Sequence, residues 1–118
     1  MLSRGPAGVH GSVRYVHWDP ATLGPWVDEL DGADAVVHLS GRRVDVRPTS
    51  RNLNELIRSR VESVRVVGAA LDEISTPPPV WVQVATLASF GEGGDDVIDE
   101  QTVPSGIGPR QMVGVALA

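Results

Sequence analysis

The sequence contains neither cysteine nor lysine, and it has only one tyrosine and one phenylalanine among its 118 residues. Without cysteine, the chain forms no disulfides, carries no thiol nucleophile and offers no thiolate metal ligands. Without lysine, it has no Schiff-base nucleophile and no lysine general base. All ten basic residues are arginine, whose guanidinium group binds phosphates, so phosphate recognition stays open.

Basic charge is also scarce, because 15 acidic residues against ten basic ones give a formal net charge of −5. Phosphate backbones bind basic faces, so the composition argues against a nucleic-acid partner. No apolar run approaches the roughly 18 residues that would suggest a membrane-spanning helix, so no membrane partner is expected. With 42% hydrophobic residues, the length predicts one globular domain, and we expect a cytoplasmic protein.

Three stretches of the sequence are expected to be strands. Residues 13–18 and 80–85 are rich in β-branched and aromatic side chains. Residues 34–41 form a short apolar run that stops at a small polar residue and a glycine, which is typical of a strand covered on both faces. Residues 5–12 are rich in glycine and small side chains and predict a loop.

Apolar residues that recur every three or four positions predict two helices. The first is short and covers residues 22–30, with Thr22 as a candidate cap. The second is long and amphipathic and covers residues 51–74, with Asn52 in the cap role. Opposite charges along its exposed side, such as Arg58 and Glu62, are spaced to pair.

The order strand, helix, strand, helix, strand predicts an α/β domain with a parallel sheet wound by right-handed crossovers. Ligands of such sheets bind beyond the carboxyl ends of the strands, so the turn at residues 38–41 is expected to face a ligand. Residues 42–50 predict a polar loop and residues 92–110 a long surface loop. Residues 111–118 are apolar and can begin a further helix. The three histidines lack metal-ligand spacing, so no metal site is expected.

Four segments of the chain carry a resemblance to one protein family: residues 1–4, 38–41, 51–65 and 78–91. In this order and spacing they resemble the extended short-chain dehydrogenases, and among them the nucleoside-diphosphate-sugar epimerase subgroup of the NAD-dependent epimerase/dehydratase family. The corresponding family motifs are the end of the second strand, an Asn/His-Leu-Ala-Gly/Ala turn, a long helix, and a strand ending in Ser/Thr-Ala-x-x-Tyr-Gly.

This resemblance implies a Rossmann-type, doubly wound parallel sheet that binds NADP or NAD and acts on a sugar-nucleotide-like substrate by hydride transfer. Arg4 would lie near the adenosine ribose, where it favours the 2′-phosphate of NADP unless it is a solvated terminal arginine. Asp19 would lie near the adenine. Thr86 would hold the catalytic hydroxyl position, or else bond local backbone at a strand end. The pyrophosphate and nicotinamide ribose would be bordered by His38, Leu39, Ser40 and Gly41.

Three arginines follow the turn, and they are either substrate-binding residues for a phosphate-bearing ligand or part of a solvated loop. They are Arg42, Arg43 and Arg47.

The family's first strand and its Gly-x-x-Gly-x-x-Gly turn have no counterpart in residues 1–118. Phe90 stands where the family has tyrosine, and the Tyr-x-x-x-Lys pair is missing. We therefore expect an incomplete NAD(P)-binding Rossmann domain, a fragment of an epimerase/dehydratase-like oxidoreductase that alone is inactive and binds no cofactor tightly. The alternative is a non-catalytic nucleotide-binding or interaction remnant. The first strand would lie at the centre of the sheet, so we expect two exposed edges and marginal stability.

Overall fold

The computed structural model describes residues 1–86, 90 and 95–103. The first part of the chain forms a three-stranded sheet from β1 (Leu2–Ser3), β2 (Gly8–His10) and β3 (Val13–His17), in the order β1-β3-β2. Strand β1 is parallel to β3, and β2 is antiparallel to β3. Gly11, at φ +59°, supplies the left-handed backbone of the tight turn between β2 and β3. The prediction of a loop over residues 5–12 is therefore wrong where β2 pairs with β3.

A second sheet consists of two parallel strands, β4 (Val36–His38) and β5 (Trp81–Gln83), with Val37 opposite Val82. Both strands are shorter than the sequence predicts. Within the described residues, no ladder of hydrogen bonds joins this sheet to the first one. The chain is thus mixed α/β, as predicted, but its strands form two small sheets.

Only one face of the second sheet is covered in the described part of the chain. Val36 packs against the core and His38 is buried, whereas Val37 between them is 59% exposed. Val82 and Val84 are also exposed. The prediction that these strands are covered on both faces is wrong for the described residues, because helix packing protects only the face that carries Val36.

Helix α1 (Ser50–Glu73) matches the long amphipathic helix that the periodicity predicts. Its cap is Thr49 rather than Asn52, since the Thr49 hydroxyl accepts the backbone N–H of Asn52 at 3.2 Å. The side chain of Asn52 instead donates to the carbonyl of Arg47 at 2.8 Å. Arg58 and Glu62 pair on the exposed side at 3.7 Å, as predicted.

The core lies between the second half of α1 and the segment that follows β3. Trp18 and Trp26 meet edge to face, with ring centroids 5.4 Å apart. Partly buried residues of both sheets, Leu2 and Val36 among them, pack against this cluster. The buried residues of the cluster are Trp18, Trp26, Val27, Leu30, Val66, Val67 and Ala70. One core therefore holds the two sheets and the helix together.

The predicted short helix over residues 22–30 is a 3₁₀ helix that spans only Pro25–Glu29. Its cap position is Gly24, without a side-chain hydrogen bond, so the prediction of a Thr22 cap is wrong. The Thr22 hydroxyl donates instead to the Asp19 carboxylate at 2.8 Å, and its carbonyl accepts the indole N–H of Trp26.

The C-terminal predictions fall mostly outside the described residues. Residues 95–103, the described part of the predicted loop over 92–110, contain neither helix nor strand. There the Asp99 carboxylate accepts the Thr102 hydroxyl, and this bond lowers the pKa of Asp99. The predicted helix start at 111–118 lies outside the described residues. None of the described helices is long and apolar enough to cross a membrane.

Candidate functional site

Two grooves share the segment that follows β4 as a common wall. The first, here the Arg4 groove, has a volume of about 340 Å³. The second, here the arginine groove, has a volume of about 700 Å³. Residues of the Arg4 groove are Arg4, Trp18, Pro20, 39–42, Glu55, Arg58, Ser59 and Glu62. Residues of the arginine groove are 39–44, Arg60, Val61, Val64, Arg65 and 83–86.

The Arg4 groove gathers the carboxyl ends of three strands. Arg4 follows β1, Trp18 follows β3, and Leu39 follows β4. Of the cofactor-binding residues predicted from sequence, the groove brings together Arg4, Leu39, Ser40 and Gly41. The first half of α1 closes its other side, where Glu55 and Glu62 are both ion-paired with arginines. The arrangement offers guanidinium groups and turn backbone at the place where strand ends meet.

Asp19 lies between two lining residues of the Arg4 groove but does not line it. Its carboxylate accepts the Thr22 hydroxyl at 2.8 Å and the backbone N–H of Ala21 at 2.9 Å. These hydrogen bonds, the one from Thr22 first, lower the pKa of Asp19. The structure therefore gives Asp19 a local role in the turn after β3.

His38 lines neither groove, because it is 4% exposed and faces the core. Its ring lies edge-on to those of Trp18 and Trp81, with centroids 6.5 and 6.3 Å away. Among the described residues, neither ring nitrogen has a hydrogen-bond partner of good geometry. Burial lowers the pKa of His38, and the nearby Gln83 side chain opposes that shift.

The buried His38 predicts acid sensitivity. Its pKa is lowered in the folded state, so between the unfolded value of about 6.5 and the folded value only the unfolded chain takes up this proton. The contribution of neutral His38 to the free energy of unfolding is fully present above about pH 6.5 and is lost as the pH falls below that value. Urea unfolding between about pH 7.5 and 5 should give a shallower loss of stability for His38→Gln than for the parent.

The matched control is His10→Gln, since His10 is exposed on β2. We expect His38→Gln to lose less unfolding free energy than this control as the pH falls from about 7.5 to 5. An equal slope of unfolding free energy against pH for His38→Gln and the parent would show that His38 does not cause the acid sensitivity.

Gly41 lies against α1 at the wall between the grooves. A Cβ at this position would lie 3.4 Å from the Arg60 guanidinium carbon. That guanidinium donates to the carbonyls of Leu56, at 3.0 Å, and Arg42, at 3.3 Å. The backbone N–H of Arg42 donates to the Ser59 hydroxyl at 3.1 Å. These contacts fix the turn after β4 on the helix.

The arginine groove contains the predicted catalytic residue and two of the three predicted substrate-binding arginines. Thr86, Arg42 and Arg43 all line it, whereas Arg47 lines neither groove. Arg42 is ion-paired with Glu55, and Arg43 with Asp45.

Sequence reasoning missed two arginines of α1, Arg60 and Arg65, which also line the arginine groove. Their place in the helical pattern indicated only a polar face. Nothing in the local sequence indicated that the segment after β4 would fold against that face.

No group of three or more potential metal-binding side chains occurs in the part of the chain that the structure describes.

A comparison of folds finds the human epimerase family protein SDR39U1 (isoform 2), whose crystal structure contains NADPH. The two structures agree with a TM-score of 0.63 at 22% sequence identity, over 87% of this chain and 33% of that chain. At this identity the likeness establishes the fold alone, and the chain spans about a third of that protein's length. No protein-family model matches the sequence, and no curated protein matches it. The mixed α/β fold is thus like part of an NADPH-bound epimerase-family protein.

Proposed function

We propose that this chain is part of an NAD(P)-binding Rossmann domain of an epimerase/dehydratase-like oxidoreductase, with the dinucleotide in the Arg4 groove. The observation that carries the proposal is the meeting of the ends of β1, β3 and β4 in this one groove. In wound α/β sheets, ligands bind in the crevice beyond such strand ends. The likeness to a protein crystallised with NADPH supports the same choice of ligand.

The two separate sheets are explained by the same proposal. In the wound order 3-2-1-4-5, β3 and β1 correspond to positions 3 and 2, and β4 and β5 to positions 4 and 5. Position 1 would then be the space between β1 and β4. One core nevertheless packs against both sheets, which supports a single domain with a central strand missing from these residues.

The lining residues suit groups from both halves of a dinucleotide. The Arg4 guanidinium suits the 2′-phosphate of NADP, because its planar donors match phosphate oxygens. Leu39, Ser40 and Gly41 would border the nicotinamide ribose. When bound, the nicotinamide supplies a hydride acceptor. The pyrophosphate lacks its glycine-rich turn here, so the chain alone is proposed to bind NADPH weakly.

Thr86 is proposed to act on the substrate side, in the arginine groove. A hydroxyl at this position can donate a hydrogen bond to the substrate oxygen whose charge changes during hydride transfer. Arg42 and Arg43, on the same groove, are proposed to contact an anionic part of a sugar-nucleotide-like substrate.

The second candidate is a non-catalytic nucleotide-binding or interaction remnant. It is favoured by Phe90 in the place of the tyrosine and by the absence of lysine from all 118 residues. Such a remnant would hold a nucleotide without the Tyr-x-x-x-Lys pair with which the family moves the substrate's proton.

Translating the DNA on both sides of the coding sequence distinguishes the two candidates. The proposed function predicts an in-frame segment of about 30 residues before Met1 that carries a Gly-x-x-Gly-x-x-Gly turn between a strand and a helix. In-frame stop codons close to both ends would contradict it and favour the remnant.

A further inference from the structure

We infer that the arginine groove binds an organic anion in which a compact oxyanion, a carboxylate or a phosphate, is joined to an apolar body. Its volume of about 700 Å³ lies within the range of small-molecule sites. Among the described lining residues are four arginines and no acidic residue, in a chain whose net charge is −5. The lining arginines are Arg42, Arg43, Arg60 and Arg65.

Two of these guanidinium groups carry charge that no carboxylate balances in the described part of the chain. Arg42 and Arg43 are ion-paired, but Arg60 donates only to backbone carbonyls, which hold it in place without cancelling its charge. Arg65 is exposed and takes part in no ion pair among the described residues. Guanidinium groups bind carboxylates and phosphates through paired N–H donors, so Arg60 and Arg65 define the oxyanion end.

Apolar side chains line the groove beside the two charged groups. Val61 and Val64 belong to the same helix as both arginines, and Val84, half exposed after β5, lines the same groove. A small hydrated ion would leave these side chains in water, whereas an apolar body would cover them. A groove lined by both arginine and valine side chains therefore favours an amphipathic anion over inorganic phosphate.

The interpretation of this ligand as substrate rests on the proposed function, because Thr86 lines the same groove. The inference that the groove binds an anion does not depend on the proposed function. Anion binding and dinucleotide binding can be tested separately, since Arg65 lines the arginine groove and not the Arg4 groove.

The test is isothermal titration of the 118-residue chain with decanoate, decyl phosphate and decanol. We expect saturable binding of at least one anion, and binding of decanol that is at least about tenfold weaker. Arg65→Gln should weaken anion binding by about tenfold. Arg51→Gln is the matched control, because Arg51 lies on α1 outside both grooves and should leave binding unchanged.

Arg60→Gln gives a second variant, checked by circular dichroism because Arg60 also fixes the turn after β4. A preference for decyl phosphate or for decanoate would identify the oxyanion, and either supports the inference. Absence of saturable anion binding, equal affinity for decanol, or an unchanged affinity in Arg65→Gln would overturn it. NADPH binding, measured separately, would be unaffected by Arg65→Gln, so failure here leaves the proposed function standing.

Discussion

Joining a strand, a Gly-x-x-Gly-x-x-Gly turn and a helix to the N-terminus of this chain is expected to strengthen NADPH binding by at least about 100-fold. That factor corresponds to roughly 2.7 kcal/mol, which is a modest contribution for backbone N–H groups at a helix N-terminus holding a pyrophosphate. The added helix would lead into β1 by a right-handed crossover, as parallel strands require. Fluorescence titration with NADPH measures the effect.

The matched control is the same fusion with the glycines of its turn replaced by alanine. This control keeps the added strand, but its alanine side chains prevent the pyrophosphate from approaching the backbone closely. We therefore expect most of the gain in NADPH affinity to disappear. In the glycine-containing fusion, Arg4→Gln should weaken NADPH binding more than NADH binding, because only NADPH carries the 2′-phosphate. Equal affinities for the glycine and alanine fusions would contradict the placement of the dinucleotide.

The sequence predicted α1 well, because its periodic apolar face is a local property that packing preserves. Its predicted bounds, 51–74, differ by one residue at each end from Ser50–Glu73. The 3₁₀ helix Pro25–Glu29 was less predictable, since apolar spacings of three suit both helix types. Strand β2 carries no hydrophobic pattern at all and exists through its pairing with β3.

The candidate site was predictable only in part. Residues 39–41 were placed correctly at a strand end, because an apolar run that stops at Ser-Gly is a local signal. His38 points inward because side chains alternate between the two faces of β4. A uniformly apolar run gives no sign of this alternation, so the sequence did not predict the direction of His38. The positions of Arg60 and Arg65 depend on how the loop folds onto the helix, and that is a tertiary property.

The proposed central strand between β1 and β4 would pair with backbone groups that point away from β5 and from β3. In β4, the N–H of Val36 donates to Val80 of the β5 side, at 2.9 Å, and the carbonyl of His38 accepts Val84, at 3.2 Å. Because backbone groups alternate in direction along a parallel strand, those of Val37 point away from β5. The same alternation directs the backbone of Leu2 away from β3, since Met1 and Ser3 bond to that strand.

Amide hydrogen exchange at Val37 and Leu2, in the chain alone and in the fusion, is the most direct test of a missing central strand. We predict fast exchange at both amides in the chain alone and exchange at least about 100-fold slower in the fusion, where the added strand accepts their hydrogen bonds. The amide of Val36, already bonded to the β5 side, should change much less. Equal protection of Val36 and Val37 in the chain alone, or unchanged exchange at Val37 in the fusion, would contradict the account.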